Sequence, residues 1–420
     1  VTLIAGVGYG LLAGALVAVF GGVLGCLVGH VARISGTSSR GIARLYGLGG
    51  RGSALASLIL AFASLGFLAL ENALLYHATL FLLGWEPGIG NAIAIYGVLT
   101  VAWMLLTVLG LELVQRTAIV LLIVFVVSTG AMAWRSLSRS GMALAALLSA
   151  GPSISAFGGP ADRFSAVLSL LAGSAGALAL TTADHARYAR SSRDVGILAV
   201  GGAIIIDVVV VVLGTIIVHS GVHFMAAYLA VHPAASAAQE GAAVSDKAAW
   251  IVNNNAGALY VVVSGLLGFA LMFMAQAKAQ VLSTHSGSLA LSDLARELAG
   301  RRLGRVAAVV TANAIGLAMV TGDILGLVRG YLGVLGVTTT SLAGVIIADF
   351  FIVRRRRPAD PGQTEAVNWA GVTSVSVAAI GGGVLQVTGV TSLGFLVALA
   401  LVLIGYPLLR GHASPGQLAR

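Results

Sequence analysis

Charge is what this chain has least of. Asp, Glu, Lys and Arg make up 9% of its 420 residues, against about 25% in a soluble domain, which excludes a water-soluble globular protein. Cysteine is nearly absent as well. The single one, Cys26, lies in an apolar run, so a disulfide framework and a cysteine-type metal site are both excluded. No polar stretch is long enough for an inserted soluble domain. The longest, about 135–163 and 219–249, are rich in Gly, Ser, Pro and His and are expected to be loops. No secretory signal pattern precedes the first apolar run.

Hydrophobic residues make up 58% of the chain and its mean hydropathy is +0.99, so the expectation is an all-α integral membrane protein embedded in a lipid bilayer. Windows of about 20 apolar residues place eleven spans near 2–29, 53–83, 91–111, 113–134, 164–186, 196–218, 257–286, 304–321, 324–353, 367–387 and 389–410. The third and fourth are parted only by Glu112 to Arg116. The 56 glycines, many inside these runs, suit closely packed membrane helices.

The net charge of +9 invites a nucleic-acid partner, but the arginines sit in short loops, and that is a topology signal. Alternate loops, from Arg33–Arg51 to Arg354–Arg357 and the tail, hold 18 of the 24 basic residues. Arg135, Arg139, Arg163, Lys247 and Arg329 lie on the other side, and Lys278 is inside a span. The positive-inside rule then puts the C-terminus in the cytoplasm of a plasma (inner) membrane protein. Eleven spans leave Val1 outside, and the parity implies one further helix ahead of it.

Few ionisable groups lie inside the spans, and each is costly there. Lys278 is the oddest. Gln276, Gln280 and Ser283 share one face of its helix, and Lys278 sits about 200° from Gln276, so the helix is polar on more than one side and is surrounded by protein. The alternative is a lysine snorkelling to the interface. Glu71 lies mid-span beside Asn72 and reads as functional or as half of a buried pair. Asp207 has no polar neighbour in sequence and reads as structural. His77 and His285 are satisfied interior histidines or proton relays. Asp184 and Asp349 end spans beside arginines and are expected to be solvated, and Asp323 falls in a turn. The small-residue run from Leu171 to Asp184 is either a tight packing face or a discontinuous helix that binds substrate with freed backbone groups.

Several segments resemble the nucleobase:cation symporter-1 family, the cytosine/purine permeases. Thr181-Thr-Ala-Asp-His-Ala-Arg-Tyr-Ala-Arg190 is similar to the family's T-A-D-x-x-R-[FY]-x-R segment. Ser286-Gly-Ser-Leu-Ala-Leu-Ser-Asp-Leu294 is similar to the end of its eighth helix. Ala343-Gly-Val-Ile-Ile-Ala-Asp-Phe350 resembles the end of its tenth, Val367-Asn-Trp369 the start of its eleventh, and Gly50-Arg-Gly-Ser53 the approach to its third. The resemblance implies twelve helices in the five-plus-five inverted-repeat transporter fold (LeuT/APC type), with substrate between broken helices one and six. The chain would then divide into 1–134, the remainder of the first repeat, 164–353, the second repeat, and 367–410, two C-terminal helices. The first span here corresponds to the family's second.

By the same resemblance, Ser64 and Phe67 hold the places of a polar residue and a stacking aromatic on the third helix, where glutamine and tryptophan are usual. Ser174, Ala175, Gly176 and Ala177 hold the substrate-lining segment of the sixth. Lys278 and Ala279 fall on the Thr-Thr pair that ligates sodium in some members. An ammonium there repels sodium, so the expected coupling ion is the proton, carried by a Glu71–Lys278 pair. The substrate set is completed by Glu71 and Gln280. The expected function is import of a nucleobase or similar planar heterocycle, with no cofactor, metal or nucleic acid. A non-transporting paralogue of the fold is the second reading. An intramembrane enzyme lacks a nucleophile–base pair in adjacent spans.

Overall fold

The computed structural model describes residues 1–153, 158–232, 243–321, 326–360, 362 and 364–411. Every regular element among them is a helix. Eleven are long: α1 (Val7–Ser35), α2 (Ala54–Leu83), α3 (Ile89–Leu109), α4 (Leu111–Ser140), α5 (Pro160–Ala186), α6 (Ser192–Val231), α7 (Ala256–Ala299), α8 (Arg305–Thr321), α9 (Val328–Val353), α10 (Trp369–Val387) and α11 (Gly394–Gly411). Ten are long and apolar enough to cross a membrane, while α8 is shorter. They follow the eleven expected spans, and only Gly110 separates α3 from α4.

Two expected loops are partly helical. Helix α4 continues to Ser140, and α6 continues to Val231, with a further helix at Val244–Asn254. His219 and His223 gave that stretch its polar look. Ile217, Gly221, Met225 and Leu229 nevertheless repeat every four residues and are all buried, which is one continuous helical face. Gly221 lets Leu259 of α7 close on it: a Cβ there would lie 2.6 Å from the leucine Cδ2. The turn expected at Asp323 lies outside the described residues.

Small residues set the packing. Along α1, Gly14, Gly21, Gly25 and Gly29 lie on the side that meets α5 and α6, against Asp207, Ala175, Ala199 and Val195. Helix α2 packs along α7, while α9 is wedged between α5 and α2 and backed by α10 and α11. The outer faces of α3 and α4 expose Ile93, Val98, Val101, Ile119 and Ile123, as lipid-facing helices do.

The small-residue run of α5 does not break. Pro160–Ala186 is one uninterrupted helix, so the discontinuous-helix expectation fails and the packing alternative holds. Its glycines are occupied by α9: a Cβ on Gly173 would lie 2.7 Å from the Leu332 carbonyl oxygen, and one on Gly176 would lie 2.8 Å from Thr339 Cβ. Helix α7 carries the interruption instead, at Gly265, with φ 60° and ψ −144°.

The arginine-bearing loops meet at one end of the molecule. The Ser39 main-chain N–H and hydroxyl both donate to Asp184 Oδ1, at 2.8 and 2.9 Å. Arg40 pairs with Asp293 at 2.9 Å, and Ser53 and Ser57 donate to the two oxygens of Glu297. Asp349 is not solvated as expected. It is 1% exposed, held by Arg354 Nε at 2.9 Å and by the Tyr406 hydroxyl at 2.7 Å.

Candidate functional site

On α2, Ser64, Phe67 and Glu71 are spaced i, i+3, i+7 and form one stripe. Opposite them α7 presents Gln280, Ser283, Thr284 and Gly287. Gly287 permits the approach: a Cβ there would be 3.0 Å from Leu65 Cδ2 and 3.4 Å from Ser64 Cβ. Gln280 is fully buried and donates through Nε2 to the Leu68 carbonyl at 3.1 Å. That bond ties the helices together at mid-length. The Ser283 hydroxyl meets the Glu71 carboxyl.

The seam is polar and incompletely satisfied. Glu71 Oε2, Gln280 Oε1 and Thr284 Oγ1 are all buried without a hydrogen-bond partner. Each such group costs about 1–3 kcal/mol, so clustering three of them is a poor structural solution and a good ligand-facing one. Elsewhere on α2 the chemistry is completed: Asn72 Oδ1 accepts from the Trp103 indole at 3.0 Å.

Phe67 borders the seam, half-buried. Its ring meets Tyr331 of α9 edge to face, with centroids 5.9 Å apart at 90°. Tyr331 donates to the Ala63 carbonyl at 2.8 Å and lies across Gly66, where a Cβ would come 2.5 Å from its hydroxyl oxygen. Sequence reasoning passed over Tyr331. Its signal was Gly66, a glycine inside a helix where glycine costs about 1 kcal/mol relative to alanine.

The chain superposes on Mhp1 in an inward-facing conformation, with a TM-score of 0.68 and 17% identity, covering 96% of this chain and 84% of that one. The fold is that of a LeuT-type secondary transporter. A closed conformation of Mhp1, a nucleobase-cation-symport-1 family transporter with bromovinylhydantoin bound, matches at 0.67 and 16% identity, covering 98% and 89%. A sodium-coupled sialic acid symporter in a substrate-bound outward-open state matches at 0.54 and 14% identity, covering 98% and 91%. No family model and no curated protein matches the sequence.

In this LeuT-type chain the expected site residues separate into two groups. Ser64, Phe67, Glu71 and Gln280 converge on the α2–α7 seam. The α5 segment is engaged elsewhere: Ser174 Oγ lies at hydrogen-bond distance from Asp207 Oδ1, 2.8 Å, Ala175 packs on Gly21 of α1, and Gly176 packs on Thr339. Ala177 is half-buried. Lys278 is also half-buried, but lies about 160–200° around α7 from Gln276 and Gln280. Of the six ion pairs among the described residues, none joins it to Glu71. The expected pairing, directly or through one water, is thus not present as a direct ion pair among the described residues, and the Glu71 carboxyl meets Ser283.

Proposed function

We propose that this chain is a secondary active transporter of the nucleobase:cation symporter-1 kind, importing a nucleobase or similar planar heterocycle by alternating access. One observation carries the reading: the cluster of unpartnered buried oxygens at Glu71, Gln280 and Thr284, bordered by the Phe67 ring. Oxygens of Glu71 and Gln280 accept hydrogen bonds, and the N–H edge of a lactam-type heterocycle supplies them. Phe67 offers the ring a stacking face, and Ser64 completes the lining.

The proton is the coupling ion in this reading, carried at Glu71. Lys278 provides a fixed positive charge on α7 where sodium-coupled relatives of the resembled family place hydroxyls. The arginine-bearing end, including the end of α11, faces the cytoplasm. The non-transporting reading draws on the uninterrupted α5, whose glycines are consumed by helix packing.

The test is uptake into proteoliposomes with a panel of radiolabelled purines, pyrimidines and hydantoins under imposed pH and sodium gradients. Accumulation of one member driven by pH and indifferent to sodium is expected. Uptake that requires sodium refutes the proton assignment, and full pH-driven uptake by Glu71→Gln refutes its placement at Glu71. No uptake of any member favours the non-transporting reading.

A further inference from the structure

Among the described residues two aspartates are fully buried in the helical body, and both sit in stretches where the helix widens to i→i−5 hydrogen bonding, Ile204–Val209 and Ala348–Val353. Such π-bulges are frequent at functional sites. Asp349 is matched by an arginine and a tyrosine, so it is held as an anion. Asp207 has no such partner. Its Oδ2 is buried with nothing bonded to it, and its Oδ1 lies 2.8 Å from Ser174 Oγ.

The hydrogen count at Ser174 decides the protonation state. Its Oγ is 2.6 Å from the Leu171 carbonyl and 2.8 Å from Asp207 Oδ1. A hydroxyl has one hydrogen to give and two lone pairs to accept with. The Leu171 carbonyl can only accept, whereas a carboxyl donates when it is protonated, so both contacts are satisfied together only when the serine hydrogen goes to Leu171. The contact to Asp207 is then a hydrogen bond only if the carboxyl supplies the proton. The orphan Oδ2 agrees: leaving a neutral carbonyl oxygen unpartnered costs far less than leaving an ionised one so.

Among the described residues, the helices packed on the bulge bring no counter-charge to it. The bulge packs on α1 and α5 and is flanked by the rest of α6. On α1 the contact is Gly14, whose close approach meets the Asp207 main-chain oxygen. Tyr9, five residues earlier, is exposed. The nearest charged or basic side chains on these helices are Arg33 and His30 on α1, Arg163 and Asp184 on α5, and Asp194 and His219 on α6. All are ten or more residues along their helices from the contact, about 15 Å or more.

We propose that Asp207 is a proton-binding site of this protein, distinct from Glu71, with its proton on Oδ1 and donated to the Ser174 hydroxyl in this conformation. Binding adds one proton to the carboxylate and release returns it to water. No other bond changes. If the chain is the transporter proposed above, Ser174 conveys the occupancy of this site to α5, and Asp207 contributes to coupling.

Infrared difference spectroscopy of the purified protein in lipid tests the proton directly and requires no substrate. Wild type minus Asp207→Asn at neutral pH should show the carbonyl stretch of a protonated carboxylic acid, and Ser174→Ala should shift that band without removing it. A carboxylate doublet in the difference, or no carboxyl difference at all, overturns the proposal. Should Asp207→Asn fail to fold, the band is read in Glu71→Gln, where its absence is equally decisive. In the uptake assay, Asp207→Asn should lose pH-driven accumulation at least tenfold and keep substrate exchange. Unchanged accumulation with the band present refutes the coupling role alone. A protein that transports nothing leaves the infrared result standing and removes only the transport reading.

Discussion

Gly176 distinguishes a substrate-lining α5 from a packing one, and Gly176→Ala is the perturbation that decides. A methyl group there would lie 2.8 Å from Thr339 Cβ and 3.4 Å from the Thr340 nitrogen, and would overlap the Thr339 hydroxyl oxygen. Carbon atoms are comfortable at about 3.5–4.0 Å, so α5 and α9 must separate by about 1 Å. That hydroxyl cannot swing away freely, because it donates to the Leu335 carbonyl at 2.6 Å. Overpacking of this kind costs about 1–3 kcal/mol. Thr339→Gly removes both the hydroxyl and the Cβ, so it should restore the alanine variant, with a coupling energy of about 1–2 kcal/mol in the double-mutant cycle. Unfolding of all four proteins in one detergent, followed by near-ultraviolet circular dichroism, supplies the numbers. A Gly176→Ala protein as stable as wild type refutes the packing argument, and so does a destabilised one that Thr339→Gly fails to rescue.

Phe67→Ala should weaken binding of the transported heterocycle by the loss of one stacking face, about 1–3 kcal/mol per base, while Phe67→Trp keeps or improves it. An unchanged Kd in the alanine variant, with its fold intact by circular dichroism, means the ring does not stack. For topology, single cysteines replacing the exposed Asp360 and His232 in a Cys26→Ser background should label with an impermeant thiol reagent from opposite faces of the membrane. Labelling from the same face breaks the span count.

The number and order of the helices were legible because a 20-residue apolar run has one structural outcome in lipid. The seam was legible in part for the same reason. Glu71, Gln280 and Phe67 stood out as polar or aromatic residues at helical spacing in an otherwise aliphatic background. What sequence could not supply was the rotation of each helix about its axis. Gln280 turns toward α2 and Lys278, two residues away, lies around the helix from it, so the Glu71–Lys278 pairing suggested by the cost of leaving each charge alone is not among the ion pairs of the described residues. The α5 run failed differently. Glycines that let a helix break are also the glycines that let a neighbour approach, and only the position of α9 decides between them.

Asp207 shows where reading along the chain stops. It lies 33 residues from Ser174, and nothing within a turn of it is polar, so local sequence assigned it a structural role. Its environment is assembled by three separate features. Gly14 admits α1 to the Asp207 main chain, the π-bulge moves the carboxyl out of the regular helical register, and a serine on α5 stands at hydrogen-bond distance. A structural carboxylate at that depth needs what Asp349 has, an arginine and a hydroxyl donor. Asp207 has one hydroxyl whose hydrogen is already committed to a carbonyl at 2.6 Å. The difference between these two buried aspartates is the physical basis for assigning a fixed charge to one and an exchangeable proton to the other.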